Sequence, residues 1–287
     1  MHRFLLYNGE IRDTAERFLS PGQTGLVNGW GVFSTLRVYD GVPFCWERHW
    51  PRMQHDARRL RIPMPPDGDA VAADLHRLIE ANRAWNAVLR VMVVRNRGGM
   101  FEGPAVTNDF DVIAFSTDVP PWGTAMKLGV IPNGRHAASE FAGAKILSWS
   151  ENLTRYERAR EQGLDEVVLL NERGEVAECT SANIFAVKEG KVLTPPLNSG
   201  CLEGVTRGIL MEVAPEAGVS VVEQMLRPED LYTADEVFIS STNRNLISVG
   251  EIAGHPIPNP GTVCNHLNDL FDTYVDDYVT RRLATAR

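Results

Sequence analysis

Short apolar runs broken by Asn-Gly and Asp-Gly pairs give the N-terminal part of the chain a strand-rich pattern. Phe4-Leu5-Leu6-Tyr7 and Glu10-Ile11 form a hairpin around Asn8-Gly9. Gly29-Trp30-Gly31 leads into the run Val32 to Tyr39, which turns at Asp40-Gly41 into Val42-Pro43-Phe44. Glycines just before a strand mark a close backbone approach, either for packing alone or as the floor of a pocket. Residues 47–61 change period: Trp50, Met53, Ala57 and Leu60 share a helical stripe, with Pro51 in the first turn. Arg48, Arg52, Arg58, Arg59 and Arg61 lie on the other faces, where arginines are ordinarily solvated. A second helix is predicted over about residues 69–84, then two apolar strands over 88–95 and 109–116.

Pro120-Pro121-Trp122-Gly123 interrupts this pattern and places a domain boundary near residue 121. Beyond it the pattern predicts a strand over 126–131, then a helix over 151–160 capped by Ser150 and stopped by Gly163. Strands follow at 166–170 and 184–187, a helix at 204–217, a strand at 219–222 and a helical turn after Pro228. A strand at 236–239 and a long helix from about Gly261 complete the chain, which has no internal repeat.

Composition narrows the function classes. A length of 287 residues suits two domains of ordinary size, 1–120 and 121–287, and 44% hydrophobic with 23% charged residues is a soluble globular composition. The net charge of −8 argues against general attraction to nucleic acid or anionic membranes, so any phosphate site must be local. Cys45, Cys179, Cys201 and Cys264 lie far apart, with no CxxC pair and no histidines at zinc spacing. They read as reduced thiols of a cytoplasmic protein, with neither a disulfide framework nor a metal site expected. The opening Met1 to Tyr7 is broken by Asn8-Gly9-Glu10, and no long apolar run follows, so neither export nor membrane insertion is expected.

The candidate chemistry centres on one of only four lysines. Lys188 and Lys191 bracket a turn, and Lys127 alternates with apolar neighbours as an outward residue does. Lys145 instead sits between Phe141-Ala142-Gly143-Ala144 and Ile146-Leu147, where desolvation favours the neutral amine that attacks a carbonyl. Downstream, Glu175 and Glu178 bracket Val176-Ala177 and are expected on one strand face, one of them as a solvated charge. The small and polar Cys179-Thr180-Ser181-Ala182-Asn183 that follows suits a flat ring lying against backbone, and a carboxylate there would keep a pyridine nitrogen protonated. Two stretches could cradle a phosphate: Gly204-Val205-Thr206 at a helix start, and the hydroxyl run Ser240-Ser241-Thr242-Asn243 at a strand end.

These residues carry a resemblance. Lys145 through Arg207, with Glu178-Cys179-Thr180-Ser181-Ala182-Asn183-Ile184-Phe185 and Leu202-Glu203-Gly204-Val205-Thr206-Arg207, is similar to the class IV, fold type IV pyridoxal-phosphate enzymes. That family includes branched-chain and D-amino-acid aminotransferases, R-selective amine transaminases and aminodeoxychorismate lyases. His49-Trp50-Pro51-Arg52-Met53 resembles its His-x-x-Arg-Leu, and Phe238-Ile239-Ser240-Ser241-Thr242 extends the likeness over nearly the whole chain. The resemblance implies an α+β fold with a small N-terminal α/β domain and a larger C-terminal mixed, β-barrel-like domain with helices. It also implies pyridoxal 5′-phosphate between the domains and a homodimer. In function it implies a transaminase moving an amino group between an amino acid or amine and a 2-oxo acid. Lys145 becomes the Schiff-base lysine and proton shuttle, and Glu178 the partner of the ring nitrogen. Arg52, Val205, Thr206, Ser241 and Thr242 become the phosphate ligands, Val205 through its amide.

Departures from the family pattern fall on the substrate side. Gly29-Trp30-Gly31 stands where many relatives have Gly-Asp-Gly, Phe33-Ser34 where many have Phe-Glu, and Ser148-Trp149 where Asn and Tyr are common. Phe33, Trp30, Arg95 and Trp149 are the candidate pocket residues. Among Arg90, Arg95 and Arg97, Arg95 is the candidate for the substrate carboxylate. Ser34-Thr35 and Glu178-Cys179 also resemble the aminodeoxychorismate lyase branch, which releases pyruvate and 4-aminobenzoate and is the alternative activity.

Overall fold

The computed structural model of the chain describes residues 1–100, 106–258 and 261–285. The chain divides into two compact units: residues 1–120, 144–149 and 277 onward form the first, and residues 121–143 and 150–276 form the second.

The first unit is built on a six-stranded antiparallel sheet in the order β2-β1-β6-β5-β3-β4. Its strands are β1 (Phe4–Tyr7), β2 (Glu10–Asp13), β3 (Gly31–Tyr39), β4 (Val42–Pro43), β5 (Ala87–Arg95) and β6 (Phe110–Thr117). Both expected hairpin turns form, and each uses two successive residues at positive φ, Asn8-Gly9 and Asp40-Gly41, as a tight turn requires. A short helix the pattern did not predict, α1 (Thr24–Asn28), precedes β3. Helices α2 (Trp46–Arg59) and α3 (Gly68–Asn82) cover the sheet, bringing Met53, Leu75, Leu78 and Ile79 into one buried cluster with Leu6, Leu36 and Leu89. Because α2 begins at Trp46, Pro51 falls in the second turn instead of the first, and the helix forgoes the bond its N–H would have made to the Glu47 carbonyl.

Residues 144–149 belong with this unit because they add to β3. The Phe33 amide donates to the Lys145 carbonyl at 3.1 Å, the Leu147 amide donates to the Gly31 carbonyl at 2.9 Å, and Val32 bridges Ile146. The glycines before β3 are explained by this crossing. A Cβ on Gly31 would stand 2.4 Å from Leu147 Cδ1 and 2.7 Å from the Val93 carbonyl oxygen. Gly29, at φ 63°, closes α1 in a left-handed conformation directly under Ser148.

The second unit is a nine-stranded mixed sheet that curls into a half-barrel, in the order β12-β11-β10-β13-β14-β7-β8-β9 with β15 on β14. Its strands are β7 (Ala125–Ile131), β8 (Glu166–Leu170), β9 (Val176–Cys179), β10 (Asn183–Lys188), β11 (Lys191–Thr194), β12 (Ser220–Glu223), β13 (Glu236–Ser241), β14 (Asn245–Ile252) and β15 (His255–Pro256). The helices are α4 (Ser150–Glu161), α5 (Val205–Val213), α6 (Pro228–Tyr232) and α7 (Thr262–Thr285). Strand β14 was not expected, because Gly250 breaks its alternation; its register on β7 shifts between Val249 and Glu251. The helix expected over 204–217 ends as α5 at Val213 and continues as a 3₁₀ turn, Ala214–Ala217, around Pro215, which has no N–H to extend the α ladder. Phe185 and Phe238, paired across β10 and β13, stack at 4.8 Å within the core.

Candidate functional site

In the first unit β3 presents two different faces to the chemistry. Thr35 pairs with Arg90 and Phe33 with Met92, so Phe33 and Arg90 are diagonal neighbours on one face; Ser34 pairs with Val91 on the other. On the Phe33 face, the Lys145 Nζ lies 4.7 Å from the Phe33 ring centroid and the Arg90 guanidinium carbon 3.9 Å from it. Trp149 packs edge-on against Phe33 at 5.9 Å, with Arg90 5.7 Å from its own ring. Burial between the aromatics lowers the Arg90 pKa, and its buried Nε has no hydrogen-bond partner among the described residues.

The Ser34 face meets α2. Ser34 is fully buried, its Oγ 2.7 Å from His49 Nδ1 and 2.8 Å from an Arg52 terminal nitrogen that donates to it. One turn on, Asp56 accepts the Lys145 backbone amide at 3.0 Å; burial raises its pKa, and that amide opposes the rise. Of the five arginines on this helix segment, Arg52 is thus turned inward.

Arg95 has a different environment from Arg90. Its Nε donates to the Arg97 carbonyl and its Nη1 to the Arg61 carbonyl, each at 2.7 Å, and its guanidinium lies over Trp30 at 4.1 Å. Trp30 in turn donates to the Leu60 carbonyl, and Arg97 pairs with Asp109 at 3.6 Å. Arg95 ties the end of β5 to neighbouring backbone, whereas Arg90 points along an aromatic wall. The sequence signal for Arg90 was a charge in the middle of the apolar run Val88 to Val94.

The second unit holds the carboxylate. Glu178 is 7% exposed on β9; its Oε1 accepts Arg135 Nε at 2.8 Å and its Oε2 accepts the Leu202 amide at 3.0 Å. Glu175 goes to other partners, Asn171 and Arg173, and the strand carries a bulge between the two glutamates. Asn152 accepts from Arg135 and donates to the Thr180 carbonyl, fixing the guanidinium that serves Glu178. Neither Arg135 nor Asn152 was singled out by sequence, since their proximity to Glu178 depends on strand pairing.

The proposed phosphate residues fall at two places in this unit. Helix α5 opens at Gly204 with no side-chain cap, leaving its first amides for an external acceptor; a Cβ on Gly204 would stand 2.1 Å from Asn183 Oδ1. At the end of β13 and just after it, the Ser240 and Ser241 hydroxyls and the Asn243 side-chain Oδ1 are buried without a partner among the described residues. Arg244 anchors this loop. It donates to Ser181 at 2.9 Å, pairs with buried Glu166 at 3.5 Å and lies over Trp122 at 4.2 Å. Uncapped amides, orphaned hydroxyls and a buried carboxylate with its own counter-cation are the donors and acceptor that pyridoxal phosphate needs, so the residues present fit it.

The chain matches the amino-transferase class IV family over residues 31–252. It is 31% identical, over 92% of its length and 93% of the relative's, to a proposed branched-chain-amino-acid aminotransferase of Methanocaldococcus jannaschii. It is 27% identical to the D-alanine aminotransferase of Staphylococcus haemolyticus, covering 94% and 96% of the two chains. The structure superposes on the branched-chain amino acid aminotransferase of Escherichia coli with a TM-score of 0.85 at 28% identity, covering 94% of this chain and 93% of that one. The chain therefore belongs to the class IV aminotransferases, and its activity is the pyridoxal-phosphate-dependent transfer of an amino group.

Proposed function

We propose that the chain moves an amino group between an amino acid and a 2-oxo acid, with Lys145 carrying the proton and Arg90 receiving the substrate carboxylate. The observation that carries this reading is the shared platform: one ring, Phe33, has the Lys145 amine at 4.7 Å and the Arg90 guanidinium at 3.9 Å. A base and a planar cation set by the same ring can bind a carboxylate and reach the proton on the neighbouring carbon together. Arg90 also separates amino acids from simple amines, which offer it no anion.

Bound pyridoxal phosphate supplies the electron sink for the electrons of the broken Cα–H bond. Lys145 takes that proton at Nζ and returns it. Glu178 would meet the ring nitrogen, with Arg135 as its counter-cation and the Leu202 amide fixing its second oxygen. Arg52, the amides of Val205 and Thr206, and the hydroxyls of Thr206, Ser241 and Thr242 are the residues that would hold the phosphate. Phe33 and Trp149 exclude water from the substrate side and favour an apolar side chain, in keeping with the branched-chain and D-alanine substrates named for the two relatives. The lyase alternative is weaker at Ser34, one hydroxyl of the Ser34-Thr35 pair that carries it, because that hydroxyl already meets His49 and Arg52. By resemblance to the family we also propose a homodimer, and the four buried free cysteines suit a reducing cytoplasm.

The test is amino transfer to a 2-oxo acid, run in parallel with L-valine, D-alanine and a simple amine as donors. Transfer from an amino acid that is abolished by Lys145→Ala supports the reading. Pyruvate release from aminodeoxychorismate, without transfer from any donor, would overturn it.

A further inference from the structure

We propose that Ser34, oriented by His49, is a positioning residue that sets the Arg52 guanidinium for the cofactor phosphate. The inference rests on the reading of Arg52 as a phosphate ligand and adds a residue the family pattern does not supply.

The geometry is a three-member chain. His49 and Arg52 are three residues apart on α2 and so present side chains on the same side of the helix, where the Ser34 hydroxyl stands between them at 2.7 and 2.8 Å. A hydroxyl has one proton to give and two lone pairs, whereas a guanidinium only donates. Ser34 therefore accepts from Arg52, and its second bond, to His49 Nδ1, holds the hydroxyl in place with either ring tautomer. Burial, and then the charges of Arg52 and Lys145, depress the basicity of His49, so the ring adds no charge beside the guanidinium. The three side chains form one continuous chain, Arg52 to Ser34 to His49.

The identity of residue 34 decides what Arg52 can do. A glutamate there, as in many relatives, would place a carboxylate against the guanidinium and claim part of its charge. Serine holds the same group by a neutral acceptor and leaves the whole positive charge for a dianionic phosphate. With the site fully buried, the hydroxyl has no water to replace it when it is removed.

The experiment compares two ligands that differ only in the phosphate. Cofactor-free full-length protein is titrated with pyridoxal phosphate and with pyridoxal, following binding by tryptophan fluorescence. Ser34→Ala is expected to weaken pyridoxal phosphate about tenfold, the scale of one hydrogen bond to a charged group, and to leave pyridoxal unchanged. Ser34→Cys keeps the volume with a poor acceptor and shows the same selective loss, while Ser34→Thr restores the hydroxyl and the affinity. Equal weakening of both ligands, or of neither, overturns the inference. Arg52→Ala separates the two readings: if it leaves the preference for the phosphate intact, the assignment of Arg52 itself is wrong. If it collapses that preference and the Ser34 variants do not, only the role of Ser34 fails.

Discussion

Phe33 holds Lys145 twice: its amide donates to the lysine carbonyl at 3.1 Å, and its ring lies 4.7 Å from the lysine Nζ. One residue of β3 thereby fixes both the main chain of the lysine and the setting of its amine. The neighbouring strand position, Ser34, turns to the opposite face and meets Arg52. Alternation along a single strand separates the Lys145 amine from the Arg52 guanidinium.

Seating of the Lys145 segment depends on Gly31. In Gly31→Ala the new Cβ would meet Leu147 and the Val93 carbonyl, and overpacking of this kind costs about 1–3 kcal/mol. Urea unfolding is expected to show that loss, together with a weaker visible absorbance band of the bound cofactor. A variant as stable and as strongly coloured as the parent would show that the crossing is not held there.

Arginine substitutions distinguish the two candidates for the carboxylate. Arg90→Gln is expected to raise KM for amino acids and 2-oxo acids about tenfold or more, with little change for an amine donor, because only the former present an anion. Arg95→Gln breaks contacts to the Arg61 and Arg97 carbonyls and is expected to lower stability while moving KM little. Steady-state kinetics with matched acid and amine donors measures both.

Glu178 and Arg135 separate by readout. Glu178→Gln keeps the shape and one acceptor but removes the charge; kcat is expected to fall by about two orders of magnitude or more in a folded protein. Arg135→Ala leaves a carboxylate only 7% exposed without its counter-cation, and breaking such a pair costs about 3–5 kcal/mol. Thermal unfolding of the two variants would show the second markedly less stable than the first.

His49 gives stability a pH dependence of known sign. Its folded-state pKa is lowered, by burial first and then by Arg52 and Lys145, well below 6.5. Its contribution is therefore present in full above 6.5 and is lost as pH falls below it, where the unfolded chain takes up a proton the folded one refuses. One such group changes stability by up to about 1.4 kcal/mol per pH unit. Between pH 6.5 and 5, His49→Gln is expected to lose stability less steeply than the parent; parallel curves from denaturant titration would exclude a neutral buried His49.

Much of the fold was readable from local pattern. The turns at Asn8-Gly9 and Asp40-Gly41, the helical stripe through Met53 and Ala57, and the interruption at Pro120-Pro121 each follow from a few adjacent residues. The misses share a cause. Each is a local break in the signal: Gly250 interrupts the alternation of β14, Pro215 ends α5 inside the apolar pattern, and a helix start at Trp46 has no capping side chain to announce it. In the site, Lys145 stood out because it alone among four lysines sat in an apolar stretch.

The sequence by itself determined the family and most of the element types, and it singled out the residues to which the proposed chemistry is assigned: Lys145, Glu178 and Arg52. Tertiary structure alone decided which arginine shares a face with Phe33, why Gly29 and Gly31 are glycine, and that Arg135 and the Leu202 amide serve Glu178. Residue type and short-range period are local properties, whereas the face a side chain shares depends on the register of strands far apart in the chain. Thr35 against Arg90, across more than fifty residues, is such a pairing, and a slip of one residue would have turned Arg90 away from Phe33 and Trp149.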